Sequence, residues 1–491
     1  MSDLPPLPLD RAAPEPLAVQ LAGGLRAAAA NGALRAGDRL PSTRELAAIL
    51  QVSRTVTAAA YDQLLAEGWV EGRVGAGTFV RAVPSPGPAP VRTVAAPVAA
   101  PRIDLRAGTP CVEVIDRAAW RRAWRAAADP EPDLLPHYAG LPGFRAAVAE
   151  HLLRHRGLVA TPDDVLATGG STSAIAELAA VLPAGARVAV EEPGYRRAAA
   201  ALAAAGLEVV GIPVDDEGLQ VARLPAGLAA VYCTPAHQFP LGARMPAARR
   251  VELVGRARAE GALVIEDDYD GELRYDVAPL PLLAALGPDV VVHVGTASKI
   301  LTPTLGVGWL VAPPAVREAL LDRRARTGSR PAPAGQRVFT ALAASGDLAR
   351  HLRRLRRELA ERRAALVAAL AGVPVLGDRA GAHVLVPLPD ARTARAVQEA
   401  GAAQGIGLDT LERHGGPDSG RDEGPDGGRE KGRDGGRDGR RDEGRQDRGG
   451  IVLGYAGPSR ADLEAALPVV ATILREHLEA ARGTPDTREW R

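Results

Sequence analysis

Only two lysines occur in the 491 residues, Lys299 and Lys431, although lysine and arginine together number 60. Lys299 closes Gly295-Thr296-Ala297-Ser298-Lys299, directly after the valine-rich strand pattern Val290 to Val294. A lysine attacks an aldehyde as a free amine, and an arginine cannot form the resulting Schiff base. A second apolar run, Leu263-Val264-Ile265, ends in Glu266-Asp267-Asp268-Tyr269. An aspartate there could hold a pyridine nitrogen protonated. Gly169-Gly170-Ser171-Thr172-Ser173 precedes a helical pattern from Ala174 to Val181, where amides and hydroxyls could cradle a phosphate. Taken singly, each has a plainer reading: a surface lysine, or a Gly-Ser-Thr helix cap. The ordered set is what pyridoxal phosphate needs: a lone lysine, an acid for the ring and a phosphate cradle.

These groups need elements that bring distant segments to one place. Val188-Ala189-Val190 leads into Glu191-Glu192-Pro193-Gly194-Tyr195, and Ala229 to Cys233 leads into Thr234-Pro235-Ala236-His237-Gln238. From about residue 103 onward such runs alternate with Ala/Leu/Arg-rich helical patterns. Buried strands that each deliver polar groups at their C-terminal end predict an open α/β sheet, which binds ligands along that edge.

The first 81 residues read differently. Leu17, Leu21 and Leu25 recur at helical spacing, predicting a helix over 16–30. Ser42 followed by Glu45 has capping-box spacing and opens a second helix ending near Leu50. Ser53 is an N-cap for a third helix over 54–67. Trp69 to Glu71 and Thr78 to Val80 pair as a hairpin with a glycine-rich tip. Helix, short turn, helix, then hairpin is a winged helix-turn-helix. Ser53, Arg54, Thr55 and Thr57 suit the start of a recognition helix, Arg44 suits a backbone contact, and Arg73, Gly75 and Gly77 suit a wing in the minor groove. The alternative is a plain three-helix domain with a solvated polar face; acidic and basic residues balance at eight each over 1–81.

Residues 84–101 carry six prolines and predict an extended linker, taken as 82–102. Residues 412–450 contain no hydrophobic side chain and predict a disordered insertion. The chain resumes with Ile451-Val452-Leu453-Gly454-Tyr455 and a final helix, so the large domain spans 103–483. A net charge of +1 excludes a globally basic nucleic-acid coat, and two cysteines, Cys111 and Cys233, exclude a disulfide scaffold. Neither a signal segment nor a membrane-length apolar run is visible, so the expectation is a cytoplasmic protein without membrane contact.

LPSTRELA, then VSR-T-V, then YDQLLAEGWVEGRVGAGTFV closely resembles the GntR-type winged-helix domain. The strand-end motifs resemble fold-type I aminotransferases, and the whole resembles MocR-type regulators of the GntR superfamily. That resemblance implies a DNA-binding transcriptional regulator on a double-stranded operator, homodimeric through an aminotransferase-like domain that takes pyridoxal 5'-phosphate and senses an unknown small effector. Lys299 would carry the cofactor. Asp267 would pair with its pyridine nitrogen, Tyr269 with its phenolic oxygen, and Tyr195 would stack on the ring. Ser171, Thr172 and Thr296 would hold the phosphate, with Tyr138 reaching it from the partner subunit, and His237 and Gln238 would lie beside the cofactor. Two expected arginines are replaced, by Gly306 after the lysine and by Val452 in the C-terminal strand, and a common Gln pair is Thr172-Ser173. These departures weigh against the alternative of a working aminotransferase. Lys299, Asp267, Tyr269 and Tyr195 weigh against a cofactor-free dimerisation domain.

Overall fold

The computed structural model describes residues 4–73, 75–81, 100–131, 133–275, 281–415 and 449–482. They belong to two compact units, divided between Ala96 and Pro97. Most of the stretch read as linker lies outside the described residues.

In the first unit, α1 (Leu17–Ala30), α2 (Thr43–Leu50) and α3 (Arg54–Ala66) precede β1 (Val70–Arg73) and β2 (Gly77–Val80). The capping box forms: Ser42 Oγ accepts the Glu45 N–H at 3.2 Å, and Glu45 Oε2 accepts the Ser42 N–H at 2.8 Å. α2 stops at Gln51, whose φ of 52° is left-handed, and this reverses the chain between the two helices. Ser53 Oγ then accepts the Val56 N–H at 3.3 Å and starts α3. Leu21, Leu25, Leu46, Tyr61, Leu64 and Val80 close the core. The hairpin pairs from Val70↔Val80 to Arg73↔Gly77, so its turn is shorter than expected.

The strands of the second unit are β3 (Ile103–Asp104), β4 (Val165–Thr168), β5 (Arg187–Glu192), β6 (Glu208–Asp215), β7 (Gly218–Leu219), β8 (Ala230–Cys233), β9 (Leu263–Asp268), β10 (Val291–Thr296), β11 (Gly308–Val311), β12 (His383–Leu388), β13 (Ile406–Gly407), β14 (Asp409–Thr410) and β15 (Gly449–Gly454). Its helices are α4 (Arg117–Ala128), α5 (Pro142–Arg156), α6 (Ser171–Ala179), α7 (Arg196–Ala204), α8 (Ala247–Glu260), α9 (Leu283–Leu286), α10 (Pro314–Thr327), α11 (Pro333–Ala344), α12 (Asp347–Ala369), α13 (Ala391–Ala403) and α14 (Arg460–Arg482). The main sheet runs β4-β11-β10-β9-β8-β5-β6-β7. Its centre, β10-β9-β8-β5-β6, is parallel, and β11 runs against both of its neighbours. Helices cover both faces, so the central strands are buried on both sides and carry apolar runs instead of alternation. A smaller sheet, β12-β15-β14, packs with α13 and α14.

Both ends of the stretch read as a disordered insertion have defined structure. Glu412, Arg413 and His414 sit in a 3-10 turn, and Gly449 and Gly450 begin β15. Ion pairs join Glu412 to Arg395, and Asp409 to Arg413 and His414, beside the buried Leu411 and the edge-on contact of His414 with Phe239. At the other end Gly449 packs so closely on the Asp390 carbonyl that no Cβ could fit. Residues 416–448 lie outside the described residues.

Behind the sheet, Arg156 of α5 makes a bidentate pair with Asp268 at 2.6 and 2.8 Å, both side chains almost wholly buried. Removing one partner of such a pair leaves an uncompensated charge. Arg156→Met should therefore destabilise the second unit by about 3–5 kcal/mol, and adding Asp268→Asn should recover part of the loss. Chemical denaturation of the three proteins measures both.

Candidate functional site

The C-terminal ends of β4, β8, β9 and β10 open on a cavity of about 690 Å³. Lys299, just past β10, lines it, and its Nζ donates to the Gly108 carbonyl at 2.6 Å. Burial lowers the lysine pKa, partly opposed by the Asp270 and Asp267 carboxylates. That shift favours the free amine over the ammonium, the form that reacts with an aldehyde.

Asp267, the last residue but one of β9, faces opposite to Glu266 and Asp268, because strand side chains alternate. Its Oδ2 accepts the Tyr232 hydroxyl at 2.7 Å, while Oδ1 is buried without a hydrogen-bond partner. Burial pushes its pKa up to about 7, against the pull of the Tyr232 bond. An orphaned acceptor on a cavity wall fits a ligand N–H. At the far end, α6 begins after Gly170 with no side-chain cap, so its first amides are free of side-chain partners. Gly170 has φ +119°, a backbone that side chains rarely adopt. Ser171, Thr172, Thr296 and Ser298 line the cavity beside that helix start. Amine, ring acid and phosphate cradle thus fit pyridoxal phosphate, whose aldehyde and pyridine ring would supply an electron sink.

Tyr195 and Tyr269 also line the cavity. Tyr195 shares a 3.0 Å hydrogen bond with Thr172, and Tyr269 donates to the His237 carbonyl at 3.0 Å. Three expected residues are not on the cavity wall. His237 is buried behind Asp270, with Nδ1 2.8 Å from Oδ2. The Gln238 amide is spent on Glu191 and the Pro193 carbonyl at the end of β5 and on the Phe239 carbonyl of its own turn. Tyr138 is half-buried away from this chain's cavity, its carbonyl held by Arg324. Of the two departures, Gly306 lies off the cavity in a left-handed turn, and Val452 is fully buried between Leu385 and Asp409. The sequence reading missed Tyr232, Asp270, His383 and the charged wall of Arg106, Arg413 and His414. Only Tyr232 carried a signal, as the one polar-tipped residue in an otherwise apolar strand. Arg413 and His414 were hidden in the stretch read as insertion.

On the first unit, Arg44, Arg54 and Thr55 are exposed at the starts of α2 and α3, and neither arginine has an ion-pair partner among the described residues. Ser53 is exposed but caps α3. Thr57 corrects the expectation: it is fully buried, and its hydroxyl donates to the Thr43 and Arg54 carbonyls at 2.8 and 3.0 Å. It ties α3 to α2 and cannot read a base. Arg73 lies flat on the wing, over the Phe79 ring and bonded to Glu71. Gly75 and Gly77 are exposed at φ +73° and +110°.

The raised Asp267 pKa gives a signed pH dependence. In the folded chain the carboxyl keeps its proton to about pH 7, whereas the unfolded chain releases it near 3.8. Unfolding therefore releases a proton between those values, and this group's contribution weakens stability as pH rises through them. Asp267→Asn removes that contribution. Urea midpoints of the cofactor-free proteins should show the variant gaining on the wild type from pH 4 to pH 7.

Residues 100–412 match the family of aminotransferase class I and II, and residues 17–80 match the gntR family of bacterial regulatory proteins. The chain is 36% identical over 377 residues to the HTH-type pyridoxine biosynthesis transcriptional regulator PdxR of Corynebacterium glutamicum, covering 76% of this chain and 83% of that one. It is 34% identical over 389 residues to the probable rhizopine catabolism regulatory protein MocR of Rhizobium meliloti, covering 74% and 78%. Among solved structures, kynurenine aminotransferase of Pyrococcus horikoshii shares the fold, with a TM-score of 0.64 at 24% identity over 77% of this chain and 91% of that one. With a gntR-type winged helix ahead of a fold-type I aminotransferase domain, the chain belongs to the MocR-type regulators of the GntR superfamily.

Proposed function

We propose that the chain is a transcriptional regulator that binds a double-stranded operator through residues 12–81 and holds pyridoxal 5'-phosphate on Lys299. The observation that carries the cofactor half is the cavity itself: a desolvated amine, a buried acceptor with one open oxygen, and an uncapped helix start, all in one place. A small effector would bind in the same cavity, whose wall includes Arg196 and Arg197. Regulation is favoured over transamination because Val452 offers no clamp for a substrate carboxylate, and firm placement supplies much of such a rate enhancement. The chain acts as a homodimer in the cytoplasm. Tyr138 stands off its own cavity, and Leu134 and Leu135 beside it are 97% and 77% exposed, as a buried subunit contact would require. No helix among the described residues is long and apolar enough to cross a membrane.

Two measurements test this reading. Purified protein with added cofactor should show a visible absorption band that borohydride reduction makes covalent, and Lys299→Ala should lose both. A colourless wild type would overturn the cofactor half. On DNA, Arg54→Ala should weaken operator binding and relax discrimination by about 1–3 kcal/mol, whereas Arg44→Ala should weaken cognate and scrambled sites alike. Gel-shift titrations in which both variants match the wild type would overturn the DNA half.

A further inference from the structure

We infer that Tyr232 is a positioning residue for the cofactor's ring nitrogen: its buried phenol fixes Asp267 as the charged acceptor that a protonated pyridine requires. The inference rests on the pyridoxal phosphate reading above.

Tyr232 lies on β8 directly across from Ile265 of β9. Asp267 is two residues further along β9, hence on the same face. A long side chain leaning along its strand spans that offset, and the phenol reaches Oδ2 at 2.7 Å. Tyr232 and Asp267 are 1% and 2% exposed, so water does not compete for the bond. Among the described residues the phenol has no other acceptor, and an ionised carboxylate only accepts, so with Asp267 ionised the proton of this bond belongs to the tyrosine. The carboxylate is left with one oxygen satisfied and one without a partner.

That asymmetry gives the pair its use. A buried carboxylate with no donor takes up a proton, and a protonated acid offers a cationic ring N–H a much weaker partner. The Tyr232 hydrogen bond works against that protonation at Asp267. Burial and the neighbouring acids raise the phenol's own pKa well above the ordinary range, so Tyr232 stays a neutral donor and adds no charge. Glu266 and Asp268 cannot take over the task. Glu266 is held by the Leu283 and Ala284 amides and Asp268 by Arg156, and both lie on the other face of β9.

The test uses the full chain and two cofactors: pyridoxal 5'-phosphate, and its 1-deaza analogue, in which a C–H replaces the ring nitrogen. Dissociation constants are measured by absorption titration for wild type, Tyr232→Phe, Asp267→Asn and the double variant. The wild type should prefer the natural cofactor. Tyr232→Phe should weaken binding of the natural cofactor by roughly tenfold to a hundredfold, the scale of one hydrogen bond to a charged group, and leave the deaza analogue unchanged. In the Asp267→Asn background the Tyr232→Phe effect should vanish. The ratio of the two constants is internal to each variant, so it holds even where a variant is less stable. Equal weakening of both cofactors, or of neither, would overturn the inference and leave the cofactor reading standing. A wild type that takes up neither would overturn both.

Discussion

A carboxylate removed from water must be met by donors, and β9 faces that requirement at three consecutive residues. Glu266 takes two backbone amides at the start of α9, and Asp268 takes the Arg156 guanidinium. Asp267, turned to the other face, takes only the Tyr232 phenol and keeps one oxygen without a partner. Strand alternation makes this division unavoidable. It separates two acids that hold the architecture together from one that remains available to a ligand. The placement of α5, α9 and β8 around β9 follows from the same need, because each supplies a donor.

Lys299 and the α6 start share this edge because the parallel strands all end on it. A parallel sheet covered by helices on both faces leaves only its ends open to ligands. The lysine is desolvated there and the first α6 amides have no side-chain cap, so the electrostatics of the site follow from topology before any single side chain is considered. Tyr269 is held at the wall by the His237 carbonyl, and the His237 ring behind it is held by Asp270.

The winged-helix unit depends on shorter-range chemistry. Two serine caps set the starts of α2 and α3, and a left-handed Gln51 sets the angle between them. Thr57 then bonds the Thr43 carbonyl across that turn, so a hydroxyl within the recognition helix is spent inside the fold. Arg44 and Arg54 are exposed at the two helix starts.

Much was legible in the sequence because the relevant physics is local. Capping boxes, apolar strands, a glycine helix start and a solitary lysine are statements about neighbours along the chain, and the helix bounds of the first unit, the order of the strands, and Lys299, Asp267 and the α6 start at the cavity followed from them. What the chain alone left open was anything decided by contact between strands far apart in sequence. Tyr232 and Asp267 stand 35 residues apart, and only their register across β8 and β9 makes them partners. Thr57 and Gln238 carry polar groups suited to a ligand, yet burial turned both inward. Arg413 and His414 sit at the edge of a stretch without apolar residues, and contacts with residues outside that stretch, ion pairs to Asp409 and the Phe239 ring against His414, hold them at the cavity. Local pattern fixes which elements form, because backbone hydrogen bonding and side-chain periodicity act over a few residues. Which polar group meets which depends on register and burial, and those exist only once the sheet has closed.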